Sequence, residues 1–346
     1  MWWAGAAWVG AEFEVAVVDG YGTEVIPPTR FSGRDVHALI DLLHACAGRA
    51  GGDLRTVVDS TNGMLDRPLL DAGLPVYRAD PPVLPRRPAF GSVPGRVLAG
   101  CGVTAAARLT PLTVTGGALT GRSREYLTAI ARSTFTKRRL VRTGQLIERG
   151  PRTGRAVAIS FDDGPHPDFT PRVLDILKRY GAAATFFCIG LNAAAYPALV
   201  ARTAAEGHQV ANHTWSHPYL PDLTRDELLR QVDATNAALA EAAGLTPTLV
   251  RPPYGARTPR LLRWLAGHGM TTALWDIDAN DWGAPDAASV VEKVARTVTA
   301  GSVVLMHDGG GDRRRTVAAL PRILETLLDR GYRLVTIDRL CGRSAC

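Results

Sequence analysis

The sequence predicts an α/β protein in two unequal parts, a small α/β unit followed by a larger one built on a mostly parallel sheet or barrel. Three observations lead there. At 346 residues the chain has room for two cores. From Ala156 to the end, apolar strand-like runs alternate with helix-like stretches, the pattern of strands joined by helical crossovers. Between the two parts prolines recur at Pro81, Pro82, Pro85, Pro88 and Pro94, which opposes both helix and central strand and marks a boundary. The expected division is a small α/β domain over 1–95, an arginine-rich connector over 96–155 and the larger domain over 156–346.

In the first part, Phe13 to Val18 and Thr23 to Ile26 are strand-like around the turn Asp19-Gly20-Tyr21-Gly22. Val36, Leu39, Ile40, Leu43 and Cys46 recur at helical spacing, with Ser32 three residues before Asp35 as a cap signal. Thr56 to Val58 and Pro75 to Arg78 are two further short strands. The connector carries Lys137-Arg138-Arg139 and a helix over Ser123 to Arg132. In the larger part the strand-like runs are Ala156 to Phe161, Ala184 to Ile189, Gln209 to Asn212, Thr248 to Arg251, Thr271 to Trp275, Ser302 to His307 and Arg333 to Ile337. Thr170 before Pro171 reads as a helix N-cap, and Thr224 with Glu227 as a capping box. In folds of this kind chemistry collects at the C-terminal ends of the strands.

Composition narrows the class. Apolar residues at 46% against 21% charged mark a globular chain. The +7 net charge suits an anionic surface, but the excess of arginine over lysine beside abundant Ala, Gly and Val reads as coding bias, and no nucleic-acid partner is expected. The five cysteines show no CxxC spacing and no zinc pattern; Cys188 sits in an apolar run, and Cys341 and Cys346 would close a small terminal loop only in an oxidising compartment. Met1 to Gly10 lacks the basic start of a secretory signal, although a misassigned start codon would hide one. No run is as long as a transmembrane helix.

Each polar cluster falls at a strand end. Asp162 and Asp163, within Ser160-Phe161-Asp162-Asp163-Gly164-Pro165, repel one another unless a cation or proton intervenes, so a metal on one would leave the other as a base; Asp-Asp-Gly-Pro is also good turn chemistry. His213 and His217 stand four apart, a spacing that reaches one divalent ion from a single helical turn. Thr214 stands where a zincin needs glutamate, which disfavours that protease class. In Arg251-Pro252-Pro253-Tyr254-Gly255 the prolines stiffen the loop and leave the Tyr254 amide as a fixed donor for an oxyanion, while Arg251 suits a carboxylate. Asp276 to Trp282 offers carboxylates beside an aromatic wall. Val303 to Asp308 ends an apolar strand in His307, which is poised for proton transfer near neutral pH.

The ordered series Ser-Phe-Asp-Asp-Gly-Pro (160–165), His-Thr-Trp-Ser-His (213–217), Arg-Pro-Pro-Tyr-Gly (251–255), Asp-Ala-Asn-Asp-Trp (278–282) and Leu-Met-His-Asp (305–308) resembles the NodB-homology polysaccharide deacetylases, the family 4 carbohydrate esterases. The resemblance covers roughly Ala156 to Leu340 and implies a distorted (β/α) barrel with an open groove. It implies a hydrolase that removes acetyl groups from an acetylated polysaccharide by attack of a metal-activated water. Asp163, His213 and His217 look like ligands of zinc, or of a similar ion such as cobalt. Asp162 looks like the general base and Arg251 its electrostatic partner. His307 looks like the general acid, oriented by Asp281 or alternatively Asp278. The Tyr254 amide would hold the oxyanion, and Leu305 and Trp282 would pocket the acetyl methyl. Peptidoglycan, chitin oligomers and acetylated xylan all present such a group, and family habit points to the cell wall or the extracellular space.

In the first part, Val9-Gly10 with Glu12, Asp19-Gly20, Val57 to Gly63, Leu70, Gly73 and Asp80-Pro81 resemble the RNase H-like N-terminal domain of DEDD-type insertion-sequence transposases. Glu12 and Asp59 exchange that pattern's first two carboxylate types, and its later aspartate pair has no counterpart, which implies a scaffold rather than an active nuclease. A sugar-binding pseudoenzyme and a nucleic-acid-associated protein are the alternatives from other functional classes.

Overall fold

The structure, a computed structural model, describes residues 1–9, 12–32, 35–59, 65–79, 83–84, 93–112 and 140–343. The chain divides into two compact units, Met1–Ser123 with Ser216–Pro218, and Arg124–Trp215 with Tyr219–Cys346.

The first unit is a six-stranded mixed sheet in the order β3-β2-β1-β4-β5-β6. β1 (Trp2–Val9), β2 (Glu12–Val18) and β3 (Glu24–Ser32) form an antiparallel meander. The apolar start of the chain is therefore the central strand, between β2 and β4. The expected hairpin turn is present, fastened by Asp19 Oδ1, which accepts the amides of Tyr21 and Thr23 at 2.9 and 2.8 Å. β3 runs beyond Ile26 through Pro27 and Pro28, which an edge strand tolerates because one row of its amides has no ladder partner. α1 (Val36–Arg49) then leads to β4 (Leu54–Val58), parallel to β1, and α2 (Asp66–Asp71) leads to β5 (Val76–Arg78), parallel to β4. The cap of α1 is Asp35 itself, whose carboxylate accepts the Ala38 amide; Ser32 lies in β3, so the expected cap is off by three residues.

The boundary also differs from expectation. Beyond the proline stretch, α3 (Gly95–Ala105) lies against β1, so close that a Cβ on Gly5 would overlap the Gly95 carbonyl and one on Gly102 would strike the Trp3 ring. β6 (Thr110–Pro111) then pairs with β5. Residues 96–112 thus complete the first sheet and do not begin a connector. Pro81, Pro82, Pro85, Pro88, the helix expected over Ser123 to Arg132, Lys137-Arg138-Arg139 and Cys346 lie outside the described residues.

The second unit carries an all-parallel sheet in the order β13-β14-β8-β9-β10-β11-β12-β7, with β15 (Arg333–Leu334) beside β8. The path is open, with β13 (Ile277–Asp278) and β7 (Leu146–Ile147) at its ends, so the sheet is a curled half-barrel. β7 starts it ten residues ahead of Ala156, within the expected connector. The remaining strands are β8 (Ala156–Asp162), β9 (Thr185–Cys188), β10 (Gln209–Asn212), β11 (Leu249–Val250), β12 (Thr271–Ala273) and β14 (Val303–His307).

Alternation along β8 sorts its two faces. Val157, Ile159 and Phe161 pack with Leu174 and Leu177 of α4 (Thr170–Arg179), while Ala158 joins Phe187, Ala211 and Ala273 on the other face. Two short helices, α5 (Gly190–Ala195) and α6 (Pro197–Ala205), follow β9. α7 (Arg225–Ala243) starts on the expected capping box of Thr224 and Glu227 and stops at Gly244 in the left-handed conformation. α8 (Pro259–Gly267), α9 (Ala287–Thr297), α10 (Arg314–Asp329) and α11 (Ile337–Leu340) complete the unit, and Ile337 belongs to α11 rather than to the last strand. Thr170 does not cap α4 but occupies its first turn, where its hydroxyl serves Asp308 and the His166 amide instead.

Candidate active site

Parallel pairing puts the five motifs at one edge of the sheet. Asp162 ends β8 and pairs in register with His307 at the end of β14. His213 follows β10, Arg251 follows β11, and Asp281 follows β13. All five non-glycine residues of positive φ among the described residues lie in these loops: Asp163 (72°), Thr214 (69°), His217 (54°), Tyr254 (60°) and Asn280 (55°). Each costs on the order of 1–3 kcal/mol, and strain of this kind concentrates where function fixes the backbone.

Asp163, His213 and His217 bring one ligand atom each within 4.8 Å of one another. The two histidines do not share a helical turn as expected; 213–217 is an irregular loop whose left-handed turns at Thr214 and His217 fold it back. The His213 Nδ1 donates to the Arg251 carbonyl at 2.7 Å, which leaves Nε2 with its lone pair directed away, the tautomer an ion requires. One carboxylate and two imidazoles suit a borderline divalent ion. The residues present therefore fit a metal of the zinc class.

Strand alternation does not separate the two aspartates. Asp163 has left β8 in a left-handed turn, so Asp163 Oδ1 and Asp162 Oδ2 both approach His213 Nε2, at 3.4 and 3.7 Å. What distinguishes them is Arg251. Fully buried, it donates from Nη1 to Asp162 Oδ1 at 2.6 Å and to the Ser160 hydroxyl at 2.9 Å. Its Nε and Nη2 are spent on the Ala273 and Leu274 carbonyls, and the guanidinium lies 3.9 Å over the Phe187 ring. Burial depresses the Arg251 pKa and the Asp162 charge offsets part of that. A buried charge so fully partnered is fixed in place, and so is the carboxylate it holds.

At His307 the choice between two aspartates is decided by geometry. Asp281 Oδ1 takes His307 Nδ1 at 2.8 Å, and its Oδ2 takes the His307 amide at 2.8 Å and the Thr316 hydroxyl at 2.7 Å. Asp278 instead accepts the Asn280 amide, and burial raises its pKa. Burial opposes a charge on His307, but the Asp281 carboxylate outweighs it and pushes the imidazole up to about 9. Burial likewise pushes Asp308 up to about 7 against the Thr170 hydroxyl, with Asp163 and Asp162 adding to the rise.

Tyr254 sits in a tight turn, Pro253–Gly255, where Gly255 (φ 61°) passes so close to the Trp275 ring that a Cβ would collide. Leu305 is buried in β14, and Trp282 is 48% exposed. The sequence reading overlooked Ser160 as a partner of Arg251, Thr316 as a partner of Asp281 and Arg313, which donates to the Gly309 and Gly310 carbonyls behind Asp163. Ser160 lies inside the first motif; Thr316 and Arg313 carry no local signal, because their roles depend on where α10 begins.

A family model described as polysaccharide deacetylase matches residues 149–273. A peptidoglycan-N-acetylglucosamine deacetylase of Bacillus cereus is 39% identical over 206 residues, which cover 59% of this chain and 96% of that protein. The chain belongs to the polysaccharide deacetylase family. A chitooligosaccharide deacetylase of Sinorhizobium fredii is 39% identical, over 53% of this chain and 91% of its own length. Among solved structures, a peptidoglycan N-acetylglucosamine deacetylase superposes with a TM-score of 0.58 at 36% identity, covering 60% of this chain and 97% of that one. A family pseudoenzyme from Bacillus anthracis also superposes, with a TM-score of 0.54 at 26% identity, covering 57% of this chain and 69% of that one. Fold alone therefore does not separate active from inactive relatives. This chain is an enzyme of that family, and Asp163, His213 and His217 form a group that could hold a metal ion.

Proposed function

We propose that the domain over residues 156–346 hydrolyses the acetamide of N-acetylglucosamine polymers, with peptidoglycan the first choice and chitin oligomers the second, using zinc or cobalt held by Asp163, His213 and His217. The observation that carries this is the triad itself with the Arg251-held Asp162 beside it. When bound, the ion polarises a carbonyl and makes water nucleophilic near neutral pH. Asp162, oriented by Arg251, takes the proton of the attacking water. His307, kept cationic by Asp281, gives a proton to the leaving amine; without that proton an amide nitrogen does not leave. The Tyr254 amide faces the developing oxyanion, and Leu305 with Trp282 bounds the acetyl methyl. The relatives named for peptidoglycan and chitooligosaccharide support this substrate class.

Acetate release from peptidoglycan, chitin oligomers and acetylated xylan, with and without chelator, tests the reading. Release from the two N-acetylated polymers that stops on metal removal is expected. Binding of these glycans with no release at any metal concentration would favour a sugar-binding pseudoenzyme.

For the first unit we propose an RNase H-like scaffold, to which α3 and β6 belong as well as the expected residues 1–95. Support comes from its strand order, an antiparallel β1-β2-β3 meander continued by parallel β4 and β5 with a helix before each. Glu12 and Asp59 are too few carboxylates for a metal pair, and DNA binding measured at two salt concentrations tests the nucleic-acid alternative.

A further inference from the structure

The strained ligand loops need something to hold them, and four consecutive residues touch both. The Ile189 amide donates to the Gly164 carbonyl at 2.9 Å, next to Asp163. The amides of Gly190 and Leu191 donate to the carbonyls of Thr214 and Trp215 at 2.9 and 3.0 Å, inside the His213–His217 loop. Asn192, fully buried in α5, donates from Nδ2 to the main-chain carbonyl of Asp163 at 2.8 Å. Gly190 is pressed so tightly on the Trp215 ring and the Thr235 hydroxyl that no Cβ fits there. The segment is thus wedged between the loop bearing the carboxylate ligand and the loop bearing the imidazole ligands.

Asn192 is the only side chain of the four that makes one of these bonds. Its Oδ1 is buried and finds no hydrogen-bond partner among the described residues, so the residue bears the cost of an idle acceptor. Leucine would match the volume without that cost. What asparagine supplies that leucine does not is the bond to the Asp163 carbonyl, at the residue whose φ of 72° turns the carboxylate out of β8 and toward the histidines.

We propose that Asn192 is a positioning residue for the metal centre: it locks the Asp163 backbone in its left-handed turn and, through the three amides before it, fixes the distance from the carboxylate to the histidine loop. It touches neither substrate nor ion. The inference rests on the assignment of Asp163, His213 and His217 as ligands. Groups that orient metal ligands typically contribute 10–100-fold in metal affinity, and Asn192 acts through the main chain of a ligand in the same way.

The experiment is competition for zinc between the full-length apoprotein and a chromophoric chelator, with apoprotein thermal unfolding and the visible spectrum of the cobalt-loaded protein measured in parallel. Asn192→Leu should bind zinc about 10-fold or more weakly and alter the cobalt spectrum, while its apoprotein unfolds close to the parent temperature. Val200→Ala, a cavity in the same core within α6, should lower the unfolding temperature and leave zinc affinity within about twofold. Should Asn192→Leu fail to fold, Asn192→Ser, whose hydroxyl is too short to reach the carbonyl, replaces it with the same expectation. Parent-like zinc affinity and cobalt spectrum in the Asn192 variant overturn the proposal, and so does an equal loss of affinity in Val200→Ala. Asp163→Asn separates the two layers: if it binds zinc as tightly as the parent, the ligand assignment has failed, whereas weakened binding there with none in the Asn192 variant rejects the brace alone.

Discussion

Asp59 and Asp163 stand in comparable places, each just beyond the C-terminal end of a parallel strand, β4 in the first unit and β8 in the second. Their surroundings differ. The Asp59 carboxylate accepts the Val93 amide at 2.8 Å, and Glu14 of β2 accepts the Gly95 amide at 3.1 Å, so backbone at the entry to α3 closes over both. Asp163 meets imidazoles instead, and among the described residues it belongs to the one cluster of three metal-ligating side chains. A carboxylate at a strand end is thus a position at which chemistry can be built. What arrives from the neighbouring strands decides whether it becomes a ligand or a fastening.

The strongest break of this comparison is metal removal. Chelation should abolish acetate release and zinc or cobalt should restore it. Thiol-blocking reagents should leave it intact, since Cys46, Cys101 and Cys188 are buried and burial raises all three thiols. Activity that persists after metal removal would sink the site. Next in size, Asp162→Asn should retain its metal and lose about 10²–10⁴ in turnover, the usual contribution of a general base. Metal content of that variant beside Asp163→Asn checks the division of roles: a metal-free Asp162→Asn with a metal-loaded Asp163→Asn would reverse it.

Asp281→Asn sharpens the comparison through pH. The general acid must be protonated, and Asp281 is what lifts His307 from its ordinary 6.5 to about 9. Without the anion the imidazole titrates lower, so the alkaline limb of the rate profile should move down while the acidic limb stays. The same linkage acts on stability: with Asp281 ionised, the raised pKa of His307 in the folded state means the pair's contribution is full up to about 6.5 and is lost as pH rises through about 9, while protonation of Asp281 removes it at the acid end. An unmoved alkaline limb would assign it to another group.

Removing the first unit, with the chain restarted near Arg122, should leave deacetylation within several-fold of the parent. Complete loss on a folded product would mean that the first unit contributes to the site. The smallest effect belongs to Asp59→Ala, which should cost about 1–3 kcal/mol in unfolding free energy for the stranded Val93 amide and leave acetate release unchanged. Altered turnover in that variant would contradict the division between fastening and ligand.

Much of the second unit was legible before any coordinates, because the evidence for it is local. Strand-length apolar runs, the Thr224–Glu227 box and five short motifs each sit within a few residues, and the alternation of strand and helix gives parallel pairing and gathers the motif ends. Residue type at each strand end, and with it the class of chemistry, was determined there. Three things were not. The extent of the first sheet escaped because β6 joins it with Thr110 beside Arg78, across the prolines that read as a boundary. Asp281 was the expected partner of His307 but Asp278 stayed open beside it, and the turn at Asn280 and the start of α10 are what bring Asp281, with Thr316, to the imidazole. The left-handed turn of Asp163 and its tie to Asn192 escaped because periodicity describes residues within their own element, while this bond joins residues 29 apart in the chain. Sequence determines which groups stand at the strand ends; contacts between segments far apart in the chain decide how those groups are aimed.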